Sequence, residues 1–337
     1  MKKIFCLTFI LALSVSVLFA GGGQDQPKGN ITIYTSMYEE VIDILKKELK
    51  KNFPRCTIDF VYGGTGRIEH AIEVERKSGR LGCDIIMTAE PSYSIFLKKE
   101  GLLHQYISKE AFNLAFEYDM EGYWYPVRVN NMVLAYNPER FAKSDVPNSF
   151  YDFANDARAN GAVSMRNPNI SGTSIATLAA LRDKYGYEYF DALSKQNVSI
   201  EYGTAEAVRK LESGEYKAIM ILEESILQLR EKRGSQLEVI YPADGTVMIP
   251  STIMIVNNRM SANKNTKSAE KILDWFLSKE GQDVIVSGWM HSVRMDFSRI
   301  PFGSIQTSRI RESGMPVDWE NTLLQKNEII SRFEANR

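Results

Sequence analysis

The chain has 337 residues, enough for about two domains at roughly 100–200 residues each. A hydrophobic share of 44% and a charged share of 25% exclude a disordered polymer, a collagen-like repeat and a polytopic membrane protein. With 41 Lys and Arg against 42 Asp and Glu, the net charge is -1, so no global field draws the chain to nucleic acid and no such partner is expected. Three Cys and the dispersed His70, His104 and His291 offer no zinc-ligand spacing, and no metal or cofactor is expected.

Residues 1–20 open with Lys2 and Lys3, run apolar from Ile4 and end at Ala20, before three glycines. This is the pattern of a secretory signal peptide cleaved after Ala20, which places the protein in the periplasm. A single membrane anchor is the alternative, since the run is about long enough to span a bilayer. Residues 21–29 (GGGQDQPKG) are polar and Gly-rich, and read as a flexible tether. Cys56 and Cys83 remain beyond it. An oxidising compartment favours a disulfide between them. If each opens a strand and a third strand lies between, however, their Cα atoms stand about 9–10 Å apart, beyond the roughly 7 Å that a bridge allows. Both outcomes are open at this stage.

From residue 30 the pattern alternates. Residues 31–34 (ITIY) read as a strand, and Tyr38, Val41, Ile42, Leu45 and Leu49 then fall on one helix face. Residues 56–61 form a second strand, residues 63–66 (GGTG) lead into a helix, and residues 84–87 (DIIM) form a third strand. Such β-α-β-α-β order predicts a parallel sheet with ligands beyond the carboxyl ends of its strands. Residues 123–136 are different: a long β-rich run with no helix, read as a strand crossing to a second lobe. Another alternating unit follows, with strands at 161–165 and 217–222 and helices at 172–185 and 206–213. A second long β-rich run, 238–256, returns, and helices dominate thereafter. The expected α/β architecture is therefore two lobes joined by a two-strand hinge. Residues 30–127 with 251–337 form the first lobe and the C-terminal helices, and 128–250 form the second.

Four regions carry a family resemblance: residues 81–87 (LGCDIIM), 166–174 (RNPNISGTS), 214–224 (GEYKAIMILEE), and 241–250 (YPADGTVMIP) together with 269–282 (AEKILDWFLSKEGQ). They resemble the periplasmic solute-binding proteins of ABC transporters, in the extracellular family 1 branch that includes ferric-ion, thiamine, phosphonate and hexose-phosphate binders. Arg166 and Asn167 stand where that family usually has an acidic residue. The resemblance implies the type II periplasmic-binding-protein fold. It also implies a transport role, with an ABC permease and its ATPase as partners and no catalysis, for a chain expected to be a monomer.

The ligand must be read from the pocket residues. Ferric-ion binders carry an adjacent Tyr pair after the strand corresponding to 217–222, whereas this chain has Glu223 and Glu224 there. Carboxylates also suit hard cations, so ferric iron remains the alternative. Ser171, Gly172 and Thr173 open a helix, as do Gly64, Thr65 and Arg67. Two helix starts facing one cleft favour a small anion such as a sugar phosphate or a phosphonate. Arg128 in the first crossing strand supplies a formal charge, or else pairs with a hinge carboxylate. Ser36 and Tyr38 lie on the rim. Glu90, Glu223 and Glu224 serve ligand hydroxyls or an amine, or else are solvated strand ends. Tyr185, Tyr187 and Tyr189 read as lobe packing. His291 and Arg294 read as helix packing, with a place near the hinge as the alternative. No G-x-S-x-G is present, and adjacent Glu223 and Glu224 would point apart on a strand, so an enzyme is unsupported. A ligand-sensing receptor module would share the same fold.

Overall fold

The computed structural model describes residues 26–335. The expected signal peptide at 1–20 and the first part of the tether lie outside them. Strand β1 (Gly29–Thr35) buries Ile31 and Ile33, and Val41, Ile42, Leu45 and Leu49 form the buried stripe of α1 (Glu39–Asn52), as their spacing predicts. The chain continues through β2 (Cys56–Tyr62), α2 (Thr65–Lys77), β3 (Ile85–Thr88) and α3 (Pro91–Lys99). β1 lies between β2 and β3 and is parallel to both. It therefore separates the strands at whose starts Cys56 and Cys83 stand, and both are free thiols. Asp84, in the third of the sequence's strand signals, accepts from the Thr32 and Asn263 N–H groups at 2.8 Å each, tying β1 to the segment after the last strand.

Every residue of β4 (Tyr125–Tyr136) is buried. The second alternating unit comprises α4 (Phe150–Asn155), β5 (Val163–Arg166), α5 (Gly172–Tyr185), α6 (Glu188–Lys195), β6 (Ser199–Glu201), α7 (Thr204–Ser213), β7 (Ala218–Leu222) and α8 (Glu223–Arg233). The return path is β8 (Glu238–Ile240) and the fully buried β9 (Val247–Ile255). Helices α9 (Thr266–Leu277), α10 (Lys279–Ser287), α11 (Thr307–Ser313) and α12 (Trp319–Ala335) complete the chain.

The strands join one sheet in the order β2-β1-β3-β9-β4-β7-β5-β6, with β8 beside β4. β9 pairs with β3 near its end and with β4 along its length, and β4 goes on to pair with β7. The two long β-rich runs are thus the central antiparallel pair, with a parallel α/β unit on each side. Their complete burial follows from cover on both faces. This is the type II two-lobe arrangement with a two-strand connection.

Two features depart from the sequence reading. Glu223 and Glu224 do not end a strand; they are the first residues of α8, a largely polar helix with little apolar periodicity to announce it. The C-terminal segment, grouped above with the first lobe, touches both: Lys326 of α12 pairs with Glu69 of α2, while Phe333 stacks edge-on against Phe190 of α6. Tyr185 and Tyr189 stack on each other, in keeping with their expected packing role.

Candidate functional site

The carboxyl ends of β1, β2 and β3 face those of β5, β6 and β7 across a partly open cavity. The topology forces this, since both units are parallel and both present their strand ends to the interlobe cleft. The lobes meet there closely. Gly172 opens α5 against Thr65 of α2, and Gly64 lies against the Ile170 carbonyl. Glycine at position 64 lets the start of α2 approach the Ile170 carbonyl, and glycine at position 172 leaves room for the Thr65 side chain. Ser171 caps α5, accepting from the Ser174 N–H at 3.3 Å and sharing a 3.0 Å hydrogen bond with the Thr173 hydroxyl. The start of α2 has no side-chain cap, and Thr65 instead accepts from the Ala89 N–H at 3.3 Å. Both helix starts border the cavity, as the sequence predicts.

Arg128 lines the cavity and brings a buried charge. Its side chain is 2% exposed. One terminal nitrogen donates to the Ser36 hydroxyl at 3.2 Å and the other contacts the Met290 sulfur at 3.1 Å, while Nε has no partner. Among the described residues it makes no ion pair, so the hinge-carboxylate alternative is not what the structure shows. Burial lowers its pKa, opposed by the field of Glu224, but a guanidinium remains charged. Tyr38 completes this wall, with its hydroxyl 3.5 Å from that of Ser225. Burial and Glu224 raise the Tyr38 phenol to about 12, against the fields of Arg128 and Arg166.

Four expected site residues lie outside the lining. Arg67 is exposed on α2. Glu90 is fully buried rather than solvated, and caps α3 by accepting from the Ser92 N–H at 2.6 Å. Glu223 accepts from Asn131 at 2.9 Å and lies 3.0 Å from His291 Nε2. Burial pushes its pKa up, but His291, Ser304 and Tyr241 outweigh this and hold it below the usual carboxylate value. Glu224 accepts from Asn130, and burial raises it to about 7. The two carboxylates thus belong to the connection between the lobes. His291 does as well, because its backbone also bridges Val129 of β4. Arg294 packs against Glu110 and Asp296, away from it.

Sequence reasoning missed Arg166, which lines the cavity from the end of β5 and donates to the Thr204 hydroxyl at 2.8 Å. The signal was present, as a basic residue at a position where the resembling family is usually acidic. Also missed were Asn130, which Ser251 orients through a 2.6 Å hydrogen bond, and the floor residues Met132, Met165 and Met220. Glu201 is the one carboxylate among the cavity-lining residues, and it is engaged by Tyr216 at 2.6 Å and Lys210 at 3.1 Å. Among the described residues, no group of three or more His, Cys, Asp or Glu side chains could hold a metal ion.

The sequence signature of the bacterial extracellular solute-binding proteins matches residues 83–296. An uncharacterized protein of Haemophilus influenzae is 24% identical over 290 residues, 81% of each chain. Iron-bound HitA from Pseudomonas aeruginosa superposes with a TM-score of 0.78 at 20% identity, over 91% of this chain and 99% of that one. AfuA from Actinobacillus pleuropneumoniae, with fructose-6-phosphate bound, gives 0.78 at 19% identity, over 92% and 98%. At these identities the likeness is one of fold, and the bound molecules are properties of those proteins.

Proposed function

The chain belongs to the bacterial extracellular solute-binding proteins, and on that premise we propose that its cleft captures a small organic anion with a phosphoryl or phosphonyl head for the permease of an ABC importer. Members of the family are transport proteins that bind small ligands outside the cytoplasm, and they are not enzymes. In this reading residues 1–20 direct export, cleavage follows Ala20, and the mature chain works as a monomer with a permease and its ATPase.

The observation that carries the ligand class is Arg128. A guanidinium buried to 2% exposure without an ion pair among the described residues is offset only in part, by the field of Glu224, and such a buried charge is costly unless something neutralises it. An anion in the cavity does so. The helix starts at Thr65 and Gly172 add N–H donors and dipoles of the same sign. Arg166 brings a second guanidinium, also without an ion pair among the described residues.

The same donor set disfavours ferric iron. Among the described residues the one carboxylate lining the cavity, Glu201, is already paired, and the phenols lining it, Tyr38 and Tyr62, are not the adjacent Tyr pair of the ferric-ion binders.

Thermal-shift measurements with inorganic phosphate and methylphosphonate, alongside ferric citrate followed by visible absorption, test this. The anions should raise the melting temperature, and ferric citrate should produce no phenolate-to-iron band. A band that bleaches with a strong chelator, with no response to the anions, overturns the reading.

A further inference from the structure

We infer that the body of the ligand, beyond its anionic head, is apolar rather than a polyol; the inference rests on the anion reading above and specifies it. Two observations converge.

The first is the fate of the carboxylates. Carboxylates are the strongest acceptors for sugar hydroxyls, and Glu90, Glu201, Glu223 and Glu224 are the carboxylates in and around the cleft. All four are committed within the protein. Glu90 caps α3, Glu201 is held by Tyr216 and Lys210, Glu223 by His291 and Asn131, and Glu224 by Asn130. Among the described residues only Glu201 of these reaches the lining.

The second is the floor. Met165 and Met220 are direct partners across β5 and β7, Met220 pairs with Leu134 of β4, and Met132 pairs with Leu222. Side chains two apart on a strand share a face, so Met132, Met165, Met220 and Leu222 form one apolar surface, and all four line the cavity. Methionine is unbranched and polarizable and adapts to a small apolar group, but offers a hydroxyl almost nothing. Ser36, Thr65, Ser171 and Thr173 sit with Arg128 and the helix starts, and serve the head.

The test is a matched pair with the same head: propylphosphonate and 2,3-dihydroxypropylphosphonate, measured by isothermal titration calorimetry with inorganic phosphate and fructose 6-phosphate as controls. Propylphosphonate should bind about ten- to a hundredfold tighter than its dihydroxy analogue, the range by which an apolar pocket rejects added hydroxyls. Met165→Gln should narrow that ratio. If the dihydroxy analogue or fructose 6-phosphate binds as tightly as propylphosphonate or more so, the apolar-body inference is overturned while the anion reading stands. If phosphate and every phosphonate fail to bind, the anion reading itself falls, and this inference with it.

Discussion

Gly172 and Thr65 face each other across the cleft so closely that a Cβ at position 172 would stand 3.1 Å from the Thr65 side chain. One residue opens a helix of the second lobe and the other a helix of the first, and their contact defines the closed cleft. Gly172→Ala would favour α5 itself, because alanine is a better helix former. In the closed form, however, its methyl group would press on Thr65. We expect the variant to melt within a degree or two of wild type and to bind methylphosphonate about tenfold more weakly, a change of about 1.4 kcal/mol. Unaltered affinity by calorimetry would show that the lobes close less tightly than this contact implies.

Arg128 is expected to separate binding from stability. Its buried charge has no ion pair among the described residues, so Arg128→Met should leave the ligand-free protein as stable as wild type or raise its melting temperature. The same substitution should weaken anion binding at least a hundredfold, as truncating a buried charge partner costs about 2–5 kcal/mol. A marked loss of stability without ligand would mean that the guanidinium is structural.

Glu224 sets a pH dependence whose sign is fixed. Its folded-state pKa stands near 7 against an ordinary 4.5, chiefly because of burial. Between these values the folded protein binds a proton that the unfolded chain does not. The contribution of Glu224 to stability is therefore full below about pH 4.5, declines as pH rises, and levels off above about 7. Glu224→Gln keeps an oxygen for Asn130 and does not titrate. The stability of the variant relative to wild type should rise by about 3 kcal/mol between pH 4.5 and pH 8 in urea denaturation. A difference that does not change with pH would place the titration elsewhere.

Lys326 of α12 reaches both carboxylate oxygens of Glu69 on α2, at 2.8 and 2.9 Å, while neighbouring Gln325 accepts from Arg182 of α5. The C-terminal helix thus ties the two lobes at the rim of the cleft. Lys326→Glu should enlarge the radius of gyration of the ligand-free protein in small-angle scattering, and adding Glu69→Lys should restore it. The pair is partly exposed and worth about 1 kcal/mol at most, so the shift should shrink in high salt. No change in either variant would leave α12 with a packing role alone.

The sheet was readable from the sequence because its cause is local. Alternation in 31–34, the helical spacing of Val41 to Leu49, and two β-rich runs with no helix inside them are patterns of neighbouring residues, and the structure follows them. Helix α8 was not readable, since EESILQLREKR has no clear apolar stripe and is held by what packs on its first turn. Helix α12 ties the lobes through Glu69 and Phe190, partners far away along the chain.

At the site the division is sharper. The sequence alone determined that two helix starts, at Gly64-Thr65 and Ser171-Gly172-Thr173, would border one cleft, because parallel strand order sends every carboxyl end the same way. It also supplied Arg128 as the candidate charge. Tertiary structure alone decided which charges remain free. Glu90, Glu223 and Glu224 look like ligand acceptors in a linear reading, but each is consumed by a cap or by a partner such as Asn130, Asn131 or His291. Arg128 and Arg166 look equally able to pair, and neither forms an ion pair among the described residues. Whether a buried charge is neutralised depends on groups brought within about 4 Å by folding, and distance along the chain does not encode that.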